Sequence, residues 1–150
     1  MIFVKVDATE ALRAIDGLPA AGLAVIRNIE GRMVKEVYRR AFDKLSGARF
    51  APKVKGKRLQ RSATGAYPVP VRTGHLRRSL AMLFPGQSKA GLSAGLDEAI
   101  VYNPAAYAWA IHQGREDMGT EGRPFLSDAV KDTLGLLDGI AQNELDRGIK

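Results

Sequence analysis

The chain contains no cysteine, which excludes disulfides, thiolate metal sites and thiol nucleophiles. Only one Trp and two His are present, so chemistry built on imidazoles has His75 and His112 alone to draw on. No apolar run approaches the roughly 20 residues that span a bilayer. The opening stretch MIFVKVDATE has neither the basic leader nor the apolar core of a signal peptide. A soluble chain with no membrane partner is expected. The most informative absence is local. Residues 44–96 hold no Asp or Glu but eleven Lys and Arg, while the rest of the chain carries −4, so this one segment accounts for the net charge of +7. A positive field concentrated in this way suits a surface that meets phosphate or an acidic partner.

What is present fits an α+β domain spanning 1–150. Apolar residues make up 45% and charged residues 26%, as in ordinary globular chains. Alternation of Ile2, Val4 and Val6 against Phe3, Lys5 and Asp7 predicts a strand. A short helix from near Ala11 is interrupted at Gly17, Leu18 and Pro19. Over 19–45 the stripe Gly22, Ile26, Ile29, Met33, Val37, Ala41, Leu45 predicts a long amphipathic helix. Its opposite face, with Arg27, Glu30, Lys35, Glu36 and Arg39, is expected toward solvent or a neighbouring subunit. Residues 48–72 lack a sustained period and carry three Pro and two Gly, predicting a long basic loop. One or two helical turns follow over 73–80, then strands at 81–84, 91–96 and 100–102, and a helix over 104–113 ending at Gly114. Pro124 opens a last helix with Leu126, Val130, Thr133, Leu134, Leu137, Ile140, Ala141 and Leu145 as its buried face. The expected architecture is a small antiparallel sheet packed on a long N-terminal and a C-terminal helix.

Catalytic readings find little purchase. His112 and Glu116 are four residues apart, but Gly114 ends the helix between them, and no HExxH or similar cluster exists. PGQSKAGLSAGL lacks the GxxxxGK[ST] pattern and alternates like a hairpin. No GxSxG is present. No catalytic, cofactor or metal residue is therefore expected, and His112→Ala would test an enzymatic role by loss of turnover with the fold intact. KVKGKRLQR, residues 53–61, places five basic groups in nine. As a solvated loop it needs no partner; as a flexible arm it can touch phosphate without reading bases. No helix-turn-helix, zinc-finger or RRM signature accompanies it, and Phe50 and Tyr67 flank it without interleaving.

Three stretches, taken in order, resemble a known family. VRTGHLRRSL (71–80) resembles the V-x-T-G-x-L-x-x-S-I/L element of the neck, or tail-completion, proteins of siphophages and the related virion morphogenesis proteins of Mu-like phages. Tyr107 and Ala108, followed by Ile111, His112 and Gly114, look like that family's second element. RPFLSDAV (123–130) is similar to the start of its C-terminal helix. His112 and Gln113 stand where one branch carries Glu and an aromatic, a choice closer to the Mu-like branch.

The resemblance implies a virion structural protein, made in the bacterial cytoplasm. It would form a homo-oligomeric ring, expected to be hexameric, between connector and tail-terminator or tail-tube proteins, with a channel for DNA. It casts Thr73, Gly74, Leu76, Ser79, Tyr107, Ala108, His112, Gly114, Arg123, Pro124, Phe125 and Leu126 as structural residues. Thr73 would cap a turn, Gly74 would take an unusual dihedral there, Ser79 would bond nearby backbone, and Tyr107 with Ile111 would bury against the sheet. Arg49, Lys53, Lys55, Lys57, Arg58, Arg61 and Arg72 are the expected contacts to genomic double-stranded DNA or to an adjoining ring. Trp109, Glu116, Asp117 and Glu121 are the expected subunit contacts. The alternative is a stand-alone basic nucleic-acid-binding module of a bacterium, which would bind duplexes tightly as a monomer.

Overall fold

The computed structural model of the chain describes residues 1–7, 20–47, 69, 73–95, 98–115 and 120–148. The short helix predicted near Ala11 and nearly all of the predicted basic loop lie outside the described residues. In chain order the elements are β1 (Ile2–Asp7), α1 (Ala20–Lys44), α2 (His75–Arg78), β2 (Ala81–Leu83), β3 (Ser88–Lys89), β4 (Leu92–Ser93) and β5 (Glu98–Asn103). They continue with α3 (Ala108–Gln113), β6 (Gly114–Arg115), β7 (Thr120–Glu121), α4 (Phe125–Leu134) and α5 (Leu137–Gly148). The protein is α+β, a small antiparallel sheet with helices. No helix among the described residues is long and apolar enough to cross a membrane.

β5 is the central strand, with β1 and β2 antiparallel on either side. The register sets Val4 opposite Val101, Met82 opposite Val101, and Phe3 opposite Tyr102. Side chains alternate across a strand, so Val4, Met82, Ala99 and Val101 share one face. They meet Val34, Val37, Ala41, Phe125, Leu126 and Ala129 in the main core. Each of the larger side chains buried there contributes about 1.5–3 kcal/mol of transfer free energy. The other face carries Leu83, Ile100 and Tyr102, covered by Ala94 and Leu92 from the segment between β2 and β5. That segment is the predicted hairpin. Backbone bonds Gly86 N–H to Gly95 O (2.9 Å) and Ala94 N–H to Gln87 O (2.9 Å) extend the β3–β4 pairing toward the sheet. Ala90 (φ 55°) and Gly91 (φ 77°) form its two-residue turn.

α1 follows the predicted stripe, with Met33, Val37, Ala41 and Leu45 buried. It packs on the sheet and on α4 and α5 as well. A helix held from two sides buries more of its circumference than one stripe, and Glu30, expected on the solvated face, is accordingly buried. Arg27, Lys35 and Arg39 are exposed as expected, while the half-buried Glu36 holds Arg39 and Arg40.

The predicted last helix is two. Gly135, a poor helix former, caps α4, and Leu136 N–H donates to Thr133 O (2.9 Å) across the break. Leu134, Leu137 and Leu145, all placed inward by the predicted stripe, are instead exposed, because the helix breaks at Gly135 and α5 starts as a separate helix. Arg32 of α1 pairs with the buried Glu144 of α5, and Lys44 with Asp132 of α4 (2.8 Å), so ionic contacts fix both helices to α1.

Candidate functional site

The first family-like stretch forms a tight turn ahead of α2. Gly74 takes φ 73°, a left-handed conformation that costs glycine little. Thr73 Oγ1 accepts from His75 N–H (3.3 Å), and Thr73 O accepts from the Arg78 guanidinium (3.0 Å), so Thr73 does close the turn. Leu76 and Leu80, four apart, are both buried in the main core. Ser79 contacts the His75 ring nitrogen (3.4 Å) where a backbone partner was expected. The Arg77 guanidinium lies 5.2 Å from the Phe42 ring centroid, a cation–π contact that holds the turn against α1.

Asn103, absent from the expected site, ties this turn to the end of β5. Fully buried at the end of β5, it donates from Nδ2 to Leu76 O (2.7 Å) and accepts from Ala105 N–H at Oδ1 (3.1 Å). A buried amide that satisfies two backbone groups fixes the chain path on both sides, and losing it leaves those groups unpaired, worth about 1–3 kcal/mol each. Its signal in the sequence was a lone polar residue ending the apolar strand AIVYN. After Asn103 the chain turns, so α3 begins at Ala108, later than the predicted 104. Gly114 ends α3 with φ 86°, as its position suggested.

The second and third stretches interlock. His112 is buried, its ring meets the Phe125 ring edge-on (5.5 Å between centroids), and its Nε2 shares a hydrogen bond with Ser127 Oγ (3.3 Å). Burial pushes the imidazole below its ordinary value of 6.5, and the opposing attraction of the Asp128 carboxylate is the smaller effect. The shift favours the neutral ring near pH 7, and that ring packs against Phe125. Arg123 N–H donates to Ile111 O (2.8 Å), and Gly114 pairs with Glu121 between β6 and β7. Pro124 stands at the N-cap of α4, while Phe125 and Leu126 are fully buried beneath it. The strand pairing runs past Gly122, where a Cβ would lie 2.5 Å from Gln113 O, so only glycine fits. Sequence inspection did not single out this position.

What the seam leaves exposed are Tyr107 and Trp109. Tyr107 was expected to bury against the sheet with Ile111; instead it is 42% exposed, its ring 6.0 Å from the His75 ring. The turn before α3 sets the Tyr107 side chain outside the core, while Ile111 packs against it. Trp109 is 56% exposed, which suits a subunit contact, and Glu121 is exposed beside the seam. Arg49, Lys53, Lys55, Lys57, Arg58, Arg61, Arg72, Glu116 and Asp117 lie outside the described residues. Among the described residues no three His, Cys, Asp or Glu side chains are grouped to hold a metal ion. Comparison of the chain with protein-family models, with curated proteins and with solved structures returned no match.

Proposed function

We propose that the chain is a structural protein of a tailed-bacteriophage virion. Its copies would form a ring, of six copies in our reading, at the head–tail junction between connector and tail, around a channel for DNA. The sequence resemblance is the starting point, and one structural observation supports it. The three stretches that carry the resemblance are separated in sequence but interlock through His75 and Tyr107, and His112 with Phe125 and Ser127, while Asn103 at the end of β5 ties down Leu76. Residues shared in this manner serve a common shape, and the exposed Tyr107 and Trp109 sit on the surface that the shape presents. Aromatic side chains in such positions favour protein contacts.

The test is genetic and morphological. Deleting the gene from its phage is expected to yield separate filled heads and finished tails, and the chain supplied in trans should restore joining. Normal infectious particles from the deletion would defeat the proposal. The basic segment keeps a second reading open, a stand-alone nucleic-acid module. That module would bind duplexes tightly as a monomer and would leave joining unaffected.

A further inference from the structure

The cations of α1, α2, α4 and α5 fall into two groups. Arg32, Arg39, Arg40, Lys44, Lys131 and Arg147, on α1, α4 and α5, each pair with a carboxylate. Lys35 of α1 and Arg77 of α2 have no carboxylate partner among the described residues, and each lies over an aromatic ring instead. Lys35 Nζ is 5.8 Å from the Phe84 ring centroid, and the Arg77 guanidinium is 5.2 Å from that of Phe42. Phe42 stacks in turn on Tyr38 (6.2 Å between centroids). Lys35, Tyr38 and Phe42 share one side of α1, with Phe42 two turns beyond Lys35, about 10 Å along the axis. The two cations therefore mark the ends of one surface, bounded by α1, α2 and the end of β2. No acceptor among the described residues takes a hydrogen bond from either head group. The stretch that joins α1 to α2 brings no carboxylate to them, since residues 44–96 hold no Asp or Glu. By contrast, α4 and α5 expose Asp132, Asp138 and Asp146.

We propose that the Lys35–Arg77 surface is where this chain meets the phosphate backbone of duplex DNA, with α4 and α5 turned away. Phosphates of one strand follow one another at about 3.4 Å along the duplex axis, so cations about 10 Å apart span roughly three of them. Cations held over rings lose less freedom on binding than mobile ones, which favours their use as contacts. Tyr38, Phe42 and Phe84 are half-buried and hold the cations in place. They offer no open platform of the kind on which the bases of single strands stack, so a duplex backbone suits the surface better than an unpaired strand. The inference deepens the ring reading and rests on it for the DNA. It also orients each copy, with α1 and α2 toward the channel and the acids of α4 and α5 away from it.

Anisotropy of a labelled duplex of arbitrary sequence, titrated with the full-length chain at several salt concentrations, tests the site. Lys35→Gln and Arg77→Gln should each reduce the steepness of log K against log salt by about 0.9, and the two together by about 1.8. Arg77→Lys keeps the charge and should keep the slope. Lys131→Gln removes an exposed cation of α4 and should also leave the slope unchanged. Lys35 is exposed, so Lys35→Gln tests the surface even if circular dichroism shows Arg77→Gln to be unfolded. Wild-type slopes in Lys35→Gln and in a folded Arg77→Gln would overturn the inference, as would an equal loss in Lys131→Gln. A loss in Arg77→Lys as large as in Arg77→Gln would make Arg77 a packing residue and overturn it too. A wild type that ignores the duplex but binds polyglutamate through Lys35 would overturn it in favour of an acidic protein partner. Each of these results leaves the ring reading standing, since a ring can join connector to tail without touching DNA. Conversely, a phage deletion that still joins heads to tails would sink the ring reading while the salt slopes, and the site with them, remained.

Discussion

At the scale of single residues, glycines separate into those the fold requires and those it merely contains. A Cβ at Gly122 would sit 2.5 Å from Gln113 O and 2.8 Å from His112 O, backbone atoms that cannot rotate away. Gly122→Ala should therefore lose about 1–3 kcal/mol through forced displacement. Gly139 of α5 has nothing within 4 Å of its would-be Cβ, and Gly139→Ala should gain about 0.5–1 kcal/mol. Urea unfolding of the two variants should shift the midpoint in opposite directions; shifts of one sign would contradict this geometry. His112 supplies a pH signature. Its folded-state value is depressed below 6.5, so the unfolded chain takes up the proton first as pH falls. Stability is thus full above the unfolded value and declines as pH falls through that value toward the folded one. The carboxylates of Glu36 and Asp132 are held below 4.5 and 3.8 by Arg39 and Lys44 respectively, so their contributions fade only at lower pH. Between about pH 7 and 5, the thermal midpoint of the wild type should drop more than that of His112→Gln. Parallel curves would mean that the His112 imidazole titrates alike in the folded and unfolded chains.

At the scale of elements, patterns of one period were legible, and places where tertiary contact overrides the period were not. The stripe on α1 and the alternation in β1 could be read directly, because both report a single buried face. Glu30 escaped because α1 is gripped from two sides, and the α4–α5 break escaped because the leucine spacing continues through Gly135 as if the helix did. Of the interlocking site, the turn at Thr73 and Gly74 and the anchor at Phe125 and Leu126 were readable from residue type. Asn103 and Ser127 were not, since their roles depend on partners 27 and 15 residues away. The hairpin was readable from its glycines, yet its turn contains an unfavourable choice. Ala90 at φ 55° adopts a left-handed conformation that costs an L-residue about 1–2 kcal/mol. Ala90→Asn creates the Asn-Gly pair that this turn type favours and should slow hydrogen exchange across β3 and β4. Unchanged exchange there would indicate that the ribbon opens for some other reason.

At the scale of the whole molecule, charge is partitioned along the chain more sharply than folding requires, with eleven basic residues in 44–96 and an acidic excess after them. Such a distribution is what a surface facing phosphate or an acidic partner would show. If the partner of the basic segment includes duplex DNA, contact through Lys and Arg neutralises phosphates and releases counterions, so log K falls with log salt by about 0.9 per phosphate. The five basic groups Lys53, Lys55, Lys57, Arg58 and Arg61 set an upper bound of about 4.5 on their share of that slope. In the proposed ring, a component that lines a DNA channel has to hold DNA without favouring a sequence or stopping its passage. Fluorescence anisotropy on the isolated chain should therefore give weak binding, equal for unrelated duplexes and steep in salt. Changing those five residues to Ser should flatten the slope by up to the stated amount while leaving the circular dichroism spectrum unchanged. A preference for one duplex by about a thousandfold or more would instead favour the stand-alone nucleic-acid module. A salt slope unaffected by the five changes would move the phosphate contacts elsewhere on the chain and leave the basic segment to protein partners.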